Sequence, residues 1–135
     1  MDTELKAFLQ TNPKTNFMQS PEWAEVKTEW KKEFIIVRNK EGLIKGTMSI
    51  LLRKVPIINR HIMYAPRGFI CDPHDKETLK ELTQKAQEIA KRYRAFIFRL
   101  DPDVLQSDEE FKNIIKELGY KAKSHIKNSG QVVEL

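Results

Sequence analysis

The sequence predicts an α/β protein: a mixed sheet flanked by helices. Three observations predict it. A strand–turn–strand pattern fills residues 34–53, where two apolar runs are separated by Asn39-Lys40-Glu41-Gly42. A strand–helix–strand pattern follows over residues 60–100, a spacing that suits a right-handed parallel crossover. Ser107-Asp108-Glu109-Glu110 then opens a last amphipathic helix. A chain of 135 residues suits one domain with one modest core.

Taken in order, Thr3 to Leu9 reads as a short helix, and Asn12-Pro13 breaks it. Ser20 is a good N-cap, Pro21 suits the first helical position and Glu22 the positive end of the helix dipole. A helix is therefore expected from here to about Lys31 or Lys32, with Trp23, Val26 and Trp30 on one apolar stripe. Phe34 to Arg38 is a β-branched strand bounded by charge. Leu43 to Arg53 is its hairpin partner, with Gly46 at a bulge and Met48 to Leu52 apolar enough for a central position. Arg60 to Ala65 is a third strand, and Pro66-Arg67-Gly68 a turn. A helix opened by Asp72 or Asp75 carries Leu79, Leu82, Ala86, Ile89, Ala90 and Tyr93 on one face. Ala95 to Leu100 is a strand that Asp101-Pro102-Asp103 stops. The last helix buries Phe111, Ile114, Ile115 and Leu118, and Gly119 suits its C′ position. Tyr120 to Ile126 and Val132 to Leu135 read as closing strands. This order, helices, a hairpin, then β-α-β-α-β, is that of a GNAT-like (acyl-CoA N-acyltransferase-like) sheet.

Composition narrows the function classes. Hydrophobic residues make up 40% and charged residues 32% of the chain, as in a soluble globular domain. No apolar run approaches the roughly 18 residues of a membrane helix. Met1-Asp2-Thr3-Glu4 is too polar for a secretory signal. Cys71 stands alone, which excludes an internal disulfide and a cysteine-based zinc site and fits a reducing cytoplasm. The net charge of +5 permits an anionic partner without choosing one.

Few residues carry chemistry. His61, His74 and His125 share no metal-ligand spacing and read as surface or loop residues, so no metal site is expected. Cys71 has no base beside it and reads as a buried structural thiol. The five glycines never take the Arg/Gln-x-x-Gly-x-Gly/Ala spacing with which acyl-CoA transferases cradle pyrophosphate, so no CoA or other cofactor is expected. Asp101 and Asp103 follow a strand, where open α/β sheets place their sites, but Asp-Pro-Asp is also ordinary turn chemistry. Tyr64 and Arg67 stand at another strand end. Arg67 could fork onto a phosphate or carboxylate, or cap a neighbouring helix. Lys31, Lys32, Lys40 and Lys45 read as a solvated basic surface. Lys27, four residues after Trp23, shares the tryptophan face. Its stem either packs beside the indoles with the ammonium in water, or holds a cation at a cleft for an anion.

The segment from Phe17 to Trp30, with Gln19-Ser20-Pro21-Glu22-Trp23-Ala24 and Val26-Lys27 at its centre, resembles the opening of the FemABX family of peptidoglycan interpeptide-bridge aminoacyltransferases. Met48 to Pro56, Tyr64-Ala65-Pro66-Arg67-Gly68, Arg99 to Val104 and Leu118-Gly119-Tyr120 recur in that family in the same order. The resemblance implies the N-terminal GNAT-like domain of a two-domain protein. It implies transfer of an amino acid from aminoacyl-tRNA to the peptide stem of a UDP- or lipid-linked muramoyl peptide precursor. Partners would be that precursor, the tRNA and a second GNAT-like domain. The place of action would be the cytoplasm, with peripheral contact at the inner face of the membrane. Lys27 matches the family's contact to the precursor diphosphate. Tyr64 and Arg67 are further substrate-binding candidates, and no residue is assigned to catalysis. The resemblance puts the groups of the transfer centre in the second domain, which 135 residues do not contain, and the chain also departs from the family pattern at Gly130 to Leu135, so catalysis by this chain alone is not expected. The alternative from a different class is a non-catalytic module that binds an anionic nucleotide- or lipid-linked partner.

Overall fold

The computed structural model describes residues 3–12, 14, 19, 30–102, 104, 107–125 and 131–134. Its strands are β1 (Lys31–Arg38), β2 (Ile44–Lys54), β3 (His61–Arg67), β4 (Ala95–Pro102), β5 (Lys121–His125) and β6 (Gln131–Glu134). Its described helices are α1 (Thr3–Thr11), α2 (Lys76–Tyr93) and α3 (Glu109–Glu117). The strands form one sheet in the order β1-β2-β3-β4-β6-β5. Only β3 and β4 run parallel, joined through α2; every other neighbouring pair is antiparallel. This is the expected mixed sheet flanked by helices.

The hairpin turn between β1 and β2 is built by Asn39, whose Oδ1 accepts from the N–H groups of Glu41 (3.0 Å) and Leu43 (2.9 Å). Gly42 supplies the left-handed residue with φ 83°. The bulge falls on β2, where Val37 faces Gly46 and Arg38 faces Ile44, leaving Lys45 as the extra residue. Gly46 also serves a second need. A Cβ there would meet Thr78 Cγ2 at 2.7 Å, so its absence lets α2 lie close on the sheet.

Alternation along the strands separates two faces. Ile35, Val37, Met48, Ile50, Leu52, Met63, Ala65, Phe98 and Leu100 pack against Leu79, Leu82 and Ala86 of α2 and Phe111 and Ile115 of α3. Full burial of the larger of these side chains, Val, Leu, Ile, Met and Phe, contributes roughly 1.5–3 kcal/mol each. Phe34 and Ile36, on the opposite face, pack with Leu5 and Leu9 of α1 and with Ile70. Met48 to Leu52 is buried throughout, between two neighbouring strands, as the apolar run predicts.

Several boundaries depart from the sequence reading. Lys31 and Lys32 do not end a helix; they begin β1, opposite Leu52 and Leu51. Backbone pairing to the long apolar β2 carries β1 beyond Phe34, and tertiary context overrides local pattern. Pro66 and Arg67 belong to β3, and Asp101 and Pro102 to β4. Pro102 is tolerated because β6 pairs with β4 only at Arg99 and Leu100, so its missing N–H deprives no ladder partner there. Asp108, rather than Ser107, caps α3, its carboxylate accepting from Phe111 N–H at 3.0 Å. Gly119, with φ 100°, follows the C-cap as expected.

Candidate functional site

At the C-terminal end of β3 the ladder is completed by side chains. Continuing the β2–β3 register beyond Leu51↔Tyr64 sets Pro66 opposite Ser49. Pro66 has no N–H to donate. The carboxamide of Gln19 fills the gap as a peptide group would. Its Oε1 accepts from Ser49 N–H (2.7 Å), and its Nε2 donates to Ser49 O (3.0 Å) and Pro66 O (2.8 Å). Gln19 is only 1% exposed, so these bonds replace water it cannot reach. Gly68 packs beneath it, where a Cβ would lie 3.3 Å from Gln19 Nε2.

On the β4 side the strand end is tied by an acceptor instead, the Asp101 carboxylate. Pro66 faces Asp101, and Arg67 faces Pro102, a second residue without a donor. Arg67 turns into the left-handed region at φ 58°, and its N–H donates to Asp101 Oδ1 at 2.7 Å. Tyr64 OH donates to Asp101 Oδ2 at 3.3 Å. Burial pushes the Tyr64 phenol above its ordinary pKa, and the Asp101 charge and hydrogen bond push it further the same way. Tyr64 is therefore a proton donor at neutral pH, held by a carboxylate. The Arg67 Nε is buried and has no hydrogen-bond partner among the described residues. A buried, unpaired guanidinium nitrogen is costly unless something fills its place. The arrangement can present a fixed cation and a phenol to an anion beside the end of the parallel pair.

The N-terminus of α2 is differently made. Asp75 Oδ1 accepts from Thr78 N–H (3.1 Å), its Oδ2 accepts from Thr78 OH (2.6 Å), and Asp72 Oδ1 accepts from His74 N–H (2.9 Å). The chain's own carboxylates thus already compensate this helix end, where an incoming pyrophosphate would meet like charge. Cys71 is buried, and burial pushes its thiol up to about 12, with Asp75 and Asp72 adding to the shift. That is the structural thiol expected.

The structure brings Tyr64 and Arg67 together around Asp101. Lys27, and the tryptophan helix that would carry it, lie outside the described residues. Gln19 was missed as a structural clamp. It stands inside the Phe17–Trp30 motif, but a single polar residue between Met18 and Ser20 offers no periodicity to read. The histidine reading needs correcting. His61 opens β3 and is buried, with Nδ1 2.8 Å from Tyr93 O and its ring edge-on to Tyr93. Its aromatic body suits the space under the end of α2, and the Tyr93 carbonyl satisfies one nitrogen. His74 is exposed, as expected, and pairs with Asp108 at 2.7 Å. Lys45 is not simply solvated: it is half-buried on the bulge and pairs with Glu81 at 3.1 Å. Lys31 lies over the Tyr93 ring at 5.5 Å.

The mixed sheet with one parallel pair joined through a helix is shared with acetyltransferase-like proteins of known structure. The solved structure of an acetyltransferase from Bacillus cereus, 20% identical, shares this fold at a TM-score of 0.53 over 82% of this chain and 76% of that one. Within the class the chain belongs to the FemAB family, whose sequence profile matches residues 1–131. It is 37% identical over 123 residues to the lipid II:glycine glycyltransferase of Staphylococcus aureus, covering 89% of this chain and 29% of that protein. Its likeness to the Staphylococcus epidermidis protein of the same name is 36% over 121 residues, 87% of this chain and 29% of the relative. The crystal structure of FemX superposes with a TM-score of 0.83 at 33% identity, over 92% of this chain and 32% of that chain. The chain thus spans about a third of the length of these relatives.

Proposed function

We propose that this chain is the N-terminal GNAT-like domain of an aminoacyltransferase that builds peptidoglycan interpeptide bridges, and that it contributes to binding the precursor. The observation that carries the reading is the 37% identity over 123 residues to a protein named for glycyl transfer to lipid II. In this reading a UDP- or lipid-linked muramoyl peptide supplies the acceptor amine and an aminoacyl-tRNA the ester. A second GNAT-like domain closes the cleft and completes the transfer centre, in the cytoplasm at the inner face of the membrane. The reaction is aminolysis of an ester, which requires an oriented amine, a place for its proton and a stabilised oxyanion. Arg67, carried on a backbone pinned by Asp101, serves as an anion contact. Tyr64 lends a phenol beside it, and Lys27 takes the precursor diphosphate. The unpaired Nε of Arg67 supports its part in this reading.

Calorimetric titration of the 135-residue chain with UDP-N-acetylmuramoyl pentapeptide tests it, with acetyl-CoA as control. Arg67→Gln and Lys27→Ala should each weaken precursor binding about tenfold or more, the scale of one charge-assisted hydrogen bond. Tyr64→Phe should weaken it less. Unchanged affinity in both folded charge variants would overturn the assignment, as would tighter binding of acetyl-CoA than of the precursor.

A further inference from the structure

At the opposite end of the sheet from Tyr64 and Arg67, the β2–β3 connection ends in an apolar tip. Val55 N–H donates to Arg60 O at 2.9 Å and closes a loop of four residues, Pro56 to Asn59. Ile57 is 104% exposed and Ile58 47%. Ile57 also holds φ at 77°, a region in which a β-branched residue is strained. An isoleucine that is both wholly exposed and strained gains nothing from water.

The surroundings of the tip are basic. Strand pairing brings residues 30–33, 52–61 and 91–96 to this one end, because Lys31 faces Leu52, Lys54 faces His61, and His61 faces Ala95. These segments hold eight lysines and arginines and one carboxylate, Glu33, which already pairs with Arg92 at 2.6 Å. Arg53, Lys54 and Arg60 flank the tip and are exposed. Trp30 and Tyr93 stand among these cations, with Arg53 5.8 Å from the indole and Arg92 5.5 Å from the phenol ring. Exposed aliphatic side chains ringed by cations and backed by interfacial aromatics match an anionic bilayer surface. RNA would engage the cations and aromatics but offers no apolar phase to Ile57 and Ile58.

We propose that this sheet end docks on an anionic phospholipid bilayer, with Ile57 and Ile58 inserted below the headgroups and Arg53, Lys54 and Arg60 at their level. The inference stands on the tip and its charges, independently of the transfer reaction. The seven residues of β3 span about 20 Å, so docking at the tip leaves the Arg67 end of the sheet uncovered.

Co-sedimentation of the 135-residue chain with phosphatidylglycerol vesicles, and with phosphatidylcholine vesicles as control, tests the proposal. Binding should require the anionic lipid and fall with added salt. Ile57→Ser/Ile58→Ser should weaken it about tenfold or more. Arg53→Gln/Arg60→Gln should weaken it similarly, since each cation near an anionic surface strengthens binding about fivefold. Both variants change exposed side chains, and thermal unfolding verifies that they fold. Ile57→Cys carrying a polarity-sensitive fluorophore provides a separate readout, with the unaltered chain as the control for labelling at the buried Cys71. Its emission should shift to the blue on phosphatidylglycerol vesicles. Absence of vesicle binding by the unaltered chain would overturn the proposal. So would binding that ignores the isoleucine pair, a fluorophore that stays in water on bound protein, or RNA binding through Arg53 and Arg60 without vesicle binding.

Discussion

Gln19→Met isolates the clamp at the end of β3. Methionine keeps the length and most of the volume of glutamine but none of its hydrogen bonds. Three bonds disappear, and Ser49 N–H, Ser49 O and Pro66 O lose their partner in a place where Gln19 is only 1% exposed. An orphaned buried N–H costs about 1–2 kcal/mol and each under-satisfied carbonyl about 1 kcal/mol. The newly buried thioether returns about 1 kcal/mol. The net loss is about 2–3 kcal/mol, a large share of the roughly 5–15 kcal/mol of a domain. Urea denaturation should show it as a lower midpoint at unchanged slope. Amide exchange at Ser49 should accelerate more than at Ile50, the local mark of the lost acceptor. Gln19→Glu should be worse at pH 7, because its carboxylate faces two carbonyl oxygens, and should partly recover in acid as the group protonates and can donate. A Gln19→Met loss below about 0.5 kcal/mol, less than one typical hydrogen bond, would refute the clamp.

Other consequences are as direct. Gly46→Ala should destabilise by about 1–3 kcal/mol, because the new Cβ meets Thr78 Cγ2 at 2.7 Å; equal denaturation midpoints would contradict it. Cys71, its thiol pushed up to about 12 by burial, should resist iodoacetamide in the native chain and react on unfolding; fast native alkylation at pH 8 would contradict this. The Asp108 hydrogen bond raises the His74 pKa above its ordinary 6.5, outweighing slight desolvation, with the Asp108, Glu110 and Asp72 charges adding to it. Folded-state protonation is thus favoured, and the stabilisation is full below pH 6.5 and lost as pH rises through the higher folded value. Asp108 moves the other way: burial opposes the shift, but the Phe111 N–H and His74 outweigh it, so its contribution is present above pH 3.8 and lost as pH falls through the lowered value. His74→Gln should flatten the decline in stability on the alkaline side of pH 6.5, measured by urea midpoints; an unchanged slope would contradict the pair.

Much of the fold was legible because local patterns and tertiary packing agree. The buried run from Met48 to Leu52, the turn at Asn39, the α2 stripe and the Gly119 end each repeat in sequence what the core requires. What escaped reading depends on partners distant in sequence. Lys31 and Lys32 carry no strand signal; they become β1 because Leu52 and Leu51 lie opposite. His61 is indistinguishable in sequence from a surface histidine until α2 covers it. Asp-Pro-Asp reads as a turn until β3 provides Arg67 N–H and Tyr64 OH for Asp101. The site was half legible for the same reason. Tyr64 and Arg67 share a motif, but the carboxylate between them comes from β4, and the carboxamide that mends their strand comes from residue 19. Two prolines, Pro66 and Pro102, lack backbone donors here; the Gln19 carboxamide supplies donors beside the first, and the Asp101 carboxylate accepts from Arg67 N–H and Tyr64 OH beside the second.

In the proposed function the Arg67 end of the sheet receives the anionic part of a muramoyl peptide precursor. A nitrogen-15 chemical-shift titration of the 135-residue chain with UDP-N-acetylmuramoyl pentapeptide tests it most directly, with arginine Nε resonances observed alongside the amides. Saturable shifts are expected at Arg67 Nε and at the amides of Tyr64, Arg67 and Lys27, and should be absent in Arg67→Gln. Saturable shifts confined to the N-terminus of α2 or to the Ile57 tip, with Arg67 Nε unmoved, would contradict it.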